Sequence, residues 1–218
     1  PVTVARARAL WLLSALGKID EATALAALAD PDPRVQEVAV QVAEPLLAGS
    51  SALRAALIEL AAAESPRLRF QVALALGGLG GDEVVSALHG IVRRDVGDVW
   101  LRRAVATARP ELVAPLAARV VEEVLATADA TSAELALVGE LAEQVASGAD
   151  AAATNRLLAS IAAGAPAIAS SYLQSQTLAL AAVARGLRRS GGRWRGWSIR
   201  GSPRCWMRGR RRRAGRTS

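Results

Sequence analysis

Apolar side chains in the first half of the chain recur at the spacing of one helix face. Val35, Val38, Val42 and Leu46 form one such stripe, and Leu68, Val72, Leu76 and Leu79 form another; a 3.6-residue period puts these positions on a single side of a helix. The stripes belong to segments that resemble one another: RARALWLLSALG from Arg6, DPDPRVQEVAVQVA from Asp30, SPRLRFQVALALGGLG from Ser65 and DVWLRRAVATA from Asp98. Aligned, they place Ala5, Val35, Leu68 and Leu101 in one column, at successive spacings of 30, 33 and 33 residues. Self-similarity at that period predicts stacked helical repeats.

Second helices are expected between these segments, over Asp20–Ala29, Ser51–Ala63 and Asp82–Arg94, each opened by a side-chain oxygen able to cap free backbone N–H groups. Pro31, Pro33 and Pro66 lie just before the recurring segments, where a missing N–H costs little; Gly17, Gly80 and Gly81 mark the opposite junctions. Each unit therefore reads as a helical hairpin. The run GGLGG at Gly77–Gly81 invites comparison with a phosphate-cradling loop, but it follows a helix rather than a strand and lacks the Lys-Ser/Thr pair, which favours a turn.

The segment DPDPRVQEVAVQVA resembles the signature of HEAT repeats, an Asp-Pro turn followed by Val-Arg-x-x-Ala on the second helix. The resemblance covers about residues 4–108 and implies an all-α fold, a right-handed α-solenoid of HEAT-like hairpins. It also implies polar contacts from repeat to repeat, made by Asp30 or Asp32 and, at the signature arginine, by Arg6, Arg69 and Arg102; Gln36 departs from the pattern at that position. More narrowly, ARARALWLLSALG, RFQVALALGGLG and VWLRRAV are similar to the HEAT segment of large planctomycete-type bacterial proteins. Those combine a propeller-like dehydrogenase-type domain, HEAT repeats and a haem-binding cytochrome c domain. The resemblance would make the chain a linking segment of an exported or periplasmic protein. It carries no propeller and no Cys-x-x-Cys-His motif of its own.

From Glu111 onward longer helices are expected without a clean repeat, separated at Pro110, Ala128–Ala130, Gly148 and Pro166, with a Thr131/Glu134 capping box and Asp150 as an N-cap. Residues 109–190 are thus expected to continue the solenoid in degenerate units, after HEAT-like repeats over 1–108. The charge-free run Leu157–Ala184 has the length of a membrane span, but its serines, glutamines, Gly164 and Pro166 favour two helices broken at GAP.

Composition agrees with helices: 52% of residues are hydrophobic and only 3% aromatic, a poor supply for strands. Charge changes the picture more. The formal net charge is +7, yet the residues up to Gly192 hold 17 Lys and Arg against 20 Asp and Glu. The last 26 residues hold 10 Arg, no carboxylate, three of the five Trp, and both Cys205 and Met207. This tail, 191–218 with its two preceding glycines, reads either as an Arg/Trp-rich RNA-binding segment or as the product of a shifted reading frame, in which GC-rich alanine codons become arginine and glycine codons. The abrupt loss of every carboxylate favours the second reading. A single cysteine leaves the redox compartment open, and the start at Pro1 without a leader suggests an internal piece whose first repeat helix is uncovered and prone to associate.

No catalytic constellation emerges. His89 is the only histidine, and Glu122 and Glu123, adjacent in sequence, diverge by about 100° on a helix. Neither a cofactor nor a metal is expected. Arg67, Arg93, Arg94 and Arg103 form a candidate binding patch diluted by Asp95, Asp98 and Glu111, and Trp11 and Trp100 are expected to pack inside the repeats. The expected role is a non-catalytic scaffold that binds a protein or a neighbouring domain of the same polypeptide, with nucleic acid as the disfavoured partner.

Overall fold

The computed structural model describes residues 2–127, 129–148, 150–163 and 170–191. These form eleven α-helices and no strand among the described residues: α1 Val2–Ala15, α2 Glu21–Leu28, α3 Pro33–Ala43, α4 Ser51–Leu60, α5 Pro66–Gly77, α6 Asp82–Arg94, α7 Val99–Ala106, α8 Pro110–Leu125, α9 Ser132–Ser147, α10 Ala151–Ala163 and α11 Ser170–Arg189. A short 3-10 turn, Glu44–Leu46, extends α3.

The helices sort into two rows. The even-numbered helices α2, α4, α6, α8 and α10 each pack on the next member of their row, and so do the odd-numbered helices α1, α3, α5, α7, α9 and α11. Cross-row packing joins α2 to α3, α4 to α5, α6 to α7, α8 to α9 and α10 to α11. We call these the A row and the B row. Contacts restricted to neighbouring units are what defines a solenoid, and the result is an all-α solenoid of helical hairpins. The aligned column is its spine: Val35, Leu68 and Leu101 are at most 1% exposed.

Local chemistry sets the helix starts. Asp20, Asp32, Ser50, Ser65 and Asp98 each accept a backbone N–H of the first turn, and Pro33, Pro66 and Pro110 sit where no N–H is needed. Thr131 and Glu134 complete the reciprocal capping box, and Asp150 accepts from the N–H groups of Ala152 and Ala153. Two expected starts differ. The cap of α4 is Ser50 rather than Ser51, and the helix ends at Leu60. α6 has no side-chain cap: Gly81 precedes it at φ +115°, a conformation that a side chain would strain. GGLGG is accordingly the end of α5 and the turn into α6.

No helix among the described residues is long and apolar enough to cross a membrane. The GAP break at Gly164–Pro166, Ala128 and the tail from Gly192 lie outside the described residues.

Candidate functional site

The position after the spine residue is occupied by Arg6, Gln36, Arg69 and Arg102, and the structure gives it a two-part task. One part reaches back to the end of the unit's own A helix or the link after it. Arg69 Nη1 donates to the carbonyls of Ala63 (2.6 Å) and Glu64 (2.9 Å), Arg102 Nη1 to that of Val96 (2.7 Å), and Gln36 Nε2 to that of Leu28 (2.9 Å). Leu28 is the last residue of α2, where a helix leaves carbonyls without intrahelical partners, whereas Ala63, Glu64 and Val96 lie in the links that follow α4 and α6. The other part reaches forward to a carboxylate of a later element. Arg6 pairs with Asp30, Arg69 with Asp95 in a bidentate fork, and Arg102 with Glu140 through two nitrogens at 3.1 and 3.2 Å. Gln36 performs the backward task and has no charge for the forward one.

The carboxylate half of this ladder differs from the expected Asp30 or Asp32. Asp30 serves only the Arg6 rung. Asp32 caps α3, binds Arg34 on its own helix and accepts the Thr3 hydroxyl of α1 at 2.6 Å. Asp95 and Glu140, the acceptors of the other two rungs, carry no repeat signature of their own.

The Thr3 hydroxyl first, and Arg34 second, hold the Asp32 carboxyl at about 2, down from its ordinary 3.8. Glu134 is lowered too, chiefly by the Thr131 backbone N–H. A depressed carboxyl contributes stability in full above its unfolded value and loses it as pH falls toward the folded value. Thermal melts should therefore show stability falling between pH 3.8 and about 2. Asp32→Asn should flatten that slope; an unchanged slope would remove Asp32 from the acid response.

The four arginines of the expected patch do not form one surface. Arg93 and Arg94, at the end of α6 in the A row, are neutralised. Arg93 Nη1 donates to Glu134 (2.8 Å) with Glu123 at 3.6 Å, and Arg94 Nη2 donates to Glu64 (2.9 Å). Arg67 and Arg103 lie instead on the B row. Arg67 keeps 82% of its side chain exposed with Glu37 at 3.3 Å, and Arg103 stacks its guanidinium 5.4 Å from the Trp100 ring centroid. His89 is held by Glu123 (2.9 Å), so it belongs to the same inter-helix pairing.

Both repeat tryptophans were expected inside, and both are outside: Trp100 is 65% exposed and Trp11 48%. Their alignment explains why. Trp100 shares its column with the exposed Arg34 and Arg67, and Trp11 shares its column with Gln41, Leu74 and Thr107, of which Leu74 and Thr107 are exposed. These columns face away from the A row. Neighbouring B helices are bridged there by Gln41 donating to Gln71 (3.0 Å) and by the Arg67–Glu37 pair. The outer face of the B row thus presents Trp100 under Arg103, with Arg67 in the same column one unit earlier and Leu74 two turns further along α5.

The A row offers a groove of about 640 Å³ between α4 and α6, floored by Ile58, Ala61, Ala87 and Gly90 and edged by Asp82, Glu83 and Arg94. Ser86 also lines it and donates its hydroxyl to the Asp82 carbonyl of its own helix (3.0 Å). Among the described residues no group of three or more His, Cys, Asp or Glu side chains could hold a metal ion.

Residues 21–109 match the family model of HEAT repeats. No curated protein and no solved structure matches the chain.

Proposed function

We propose that the chain is a non-catalytic scaffold that captures a partner protein on the outer face of its B row, centred on Trp100. HEAT repeats generally mediate protein–protein contacts, and the observation that carries the reading here is a large aromatic side chain left 65% exposed beneath a guanidinium. Tryptophan and arginine are the side chains over-represented in the few positions that dominate interface energetics. A fitting partner would present an apolar side chain against Trp100 and carboxylates toward Arg67 and Arg103. Nucleic acid fits less well, because Arg93 and Arg94 already have carboxylate partners and Arg69 and Arg102 are turned inward.

Trp100→Ala and Arg103→Glu in the full chain should leave the melting temperature within a degree or so, since exposed substitutions change stability little. Both should remove a partner that the unaltered chain retains under cross-linking. Identical capture by the variants would overturn the assignment, as would steeply salt-dependent RNA binding by a chain ending at residue 192. The finer reading, a linking segment of a larger exported redox protein with repeats over 1–108 and degenerate units over 109–190, is supported by the sequence resemblance. The coding DNA across residue 192 and its flanks tests it.

A further inference from the structure

A recess of about 400 Å³ opens where α8 and α10 begin and α9 stops, away from the Trp100 face. Its floor is apolar and already covered by the fold: Val113 is 2% exposed, Ala153 6% and Val145 7%. Around that floor stand four polar residues, Glu111, Gln144, Asp150 and Arg156. A concave apolar site with a few placed polar groups is the form in which small ligands are held, and this volume lies near the lower end of the usual range of about 300–1,000 Å³.

The polar groups have capacity to spare. Arg156 is exposed and makes no hydrogen bond or ion pair among the described residues; the side-chain amide of Gln144 is unbonded in the same sense. Asp150 spends only Oδ1 on the start of α10, accepting from Ala152 (2.8 Å) and Ala153 (3.1 Å), and Oδ2 has no partner among the described residues. Glu111 is ionised, since its own backbone N–H holds its carboxyl below the usual range, and Arg109 approaches it only to 3.5 Å. Pro115 adds a further acceptor. It lies inside α8 and lines the recess, and having no N–H it deprives the Glu111 carbonyl of the donor that an α-helix supplies four residues on.

These charges select the ligand. An anion alone would meet the carboxylates of Glu111 and Asp150, and a cation alone would meet Arg156; a molecule carrying both charges is complementary to the site. We propose that the recess binds a free α-amino acid with an aliphatic side chain. Its carboxylate pairs with Arg156 and accepts from the Gln144 amide. Its ammonium, which has three N–H donors and no acceptor, is matched by the Glu111 carboxylate, the Glu111 carbonyl and Asp150 Oδ2. Its side chain covers Val113, Val145 and Ala153.

Titration of the ¹⁵N-labelled full chain with L-leucine tests this. Amide shifts should saturate and concentrate at the starts of α8 and α10 and the end of α9. Arg156→Ala should weaken binding by about tenfold or more, the scale of a charge-assisted hydrogen bond, and Glu111→Gln should weaken it severalfold. Arg156 is exposed and the Glu111 side chain is 68% exposed, so both variants should keep the circular dichroism and melting temperature of the parent. Leucinamide, which lacks the carboxylate, and N-acetylleucine, which lacks the ammonium, should each bind about tenfold more weakly than leucine. Absence of saturable shifts would overturn the proposal, as would equal binding by the Arg156→Ala chain. N-acetylleucine binding as tightly as leucine would also overturn it, by giving the recess to the carboxyl end of a peptide. Capture of a partner at Trp100 does not depend on any of these outcomes, so failure here leaves the scaffold reading intact.

Discussion

Arg69→Ala is expected to lower the unfolding free energy by about 3–5 kcal/mol, the range for removing one partner of a buried ion pair. Only 3% of the Arg69 side chain is exposed, and Asp95 opposite it is 12% exposed. Alanine would leave that carboxylate facing a low-dielectric gap and release the carbonyls of Ala63 and Glu64 in the link after α4. Asp95, hydrogen-bonded to the guanidinium, raises the pKa of Arg69, so the arginine stays charged throughout the working pH range. Glutamine should cost less than alanine at this position. The second unit already uses it: Gln36 bonds the Leu28 carbonyl without a carboxylate opposite. The expected order in urea is native above Arg69→Gln above Arg69→Ala. Equal midpoints for the two variants would mean that the backward contact to the A helix contributes nothing.

This order also shows which parts of the ladder were legible in the sequence. The arginine column follows from a 33-residue alignment, because a repeated environment imposes a repeated residue on the same turn of each B helix. The acceptors were not legible. Asp95 lies 26 residues from Arg69, at the end of α6, and Glu140 lies 38 residues from Arg102, inside α9 where the repeat has degraded. Nothing periodic marks either. The departure at Gln36 has a structural counterpart: the spacing that puts Asp95 opposite Arg69 puts Ala62 opposite Gln36, so arginine and acid are missing together.

The two tryptophans were misplaced for a different reason. A large aromatic residue inside a helical repeat suggests a core position, since burying it gains the most area. Its column carries better information. Arg34 and Arg67, both exposed, occupy the place of Trp100 in the neighbouring units, whereas the column two positions along holds the buried Arg69 and Arg102, so the exposure of the column rather than its arginines places Trp100 outside. Helix identity, turn chemistry and the buried stripe depend on local sequence and were readable. Exposure of single residues depends on the angle at which one row meets the other.

Gly186→Ala is expected to destabilise the end of the solenoid, contrary to its local effect. In a helix interior alanine is favoured over glycine by about 1 kcal/mol, and Gly186 lies well inside α11. Here a Cβ would stand 2.4 Å from the Glu143 carbonyl oxygen, 2.7 Å from Ala146 Cβ and 3.0 Å from the Ser147 nitrogen. Two of those atoms are backbone of α9 and cannot rotate away, so α9 and α11 would have to separate. Overpacking of this kind costs about 1–3 kcal/mol, and the separation would also loosen Ala179, Ala182 and Val183, each at most 2% exposed. Gly139 in α9 supplies the control, because a Cβ there meets nothing within 4 Å; Gly139→Ala should stabilise by up to about 1 kcal/mol. Because each unit contacts only its neighbours, the damage should stay local. Hydrogen exchange should accelerate in α11 and the last turns of α9 while α3 to α6 keep their protection. If both substitutions shift stability in the same direction, helix propensity rather than the approach of α9 to α11 governs Gly186.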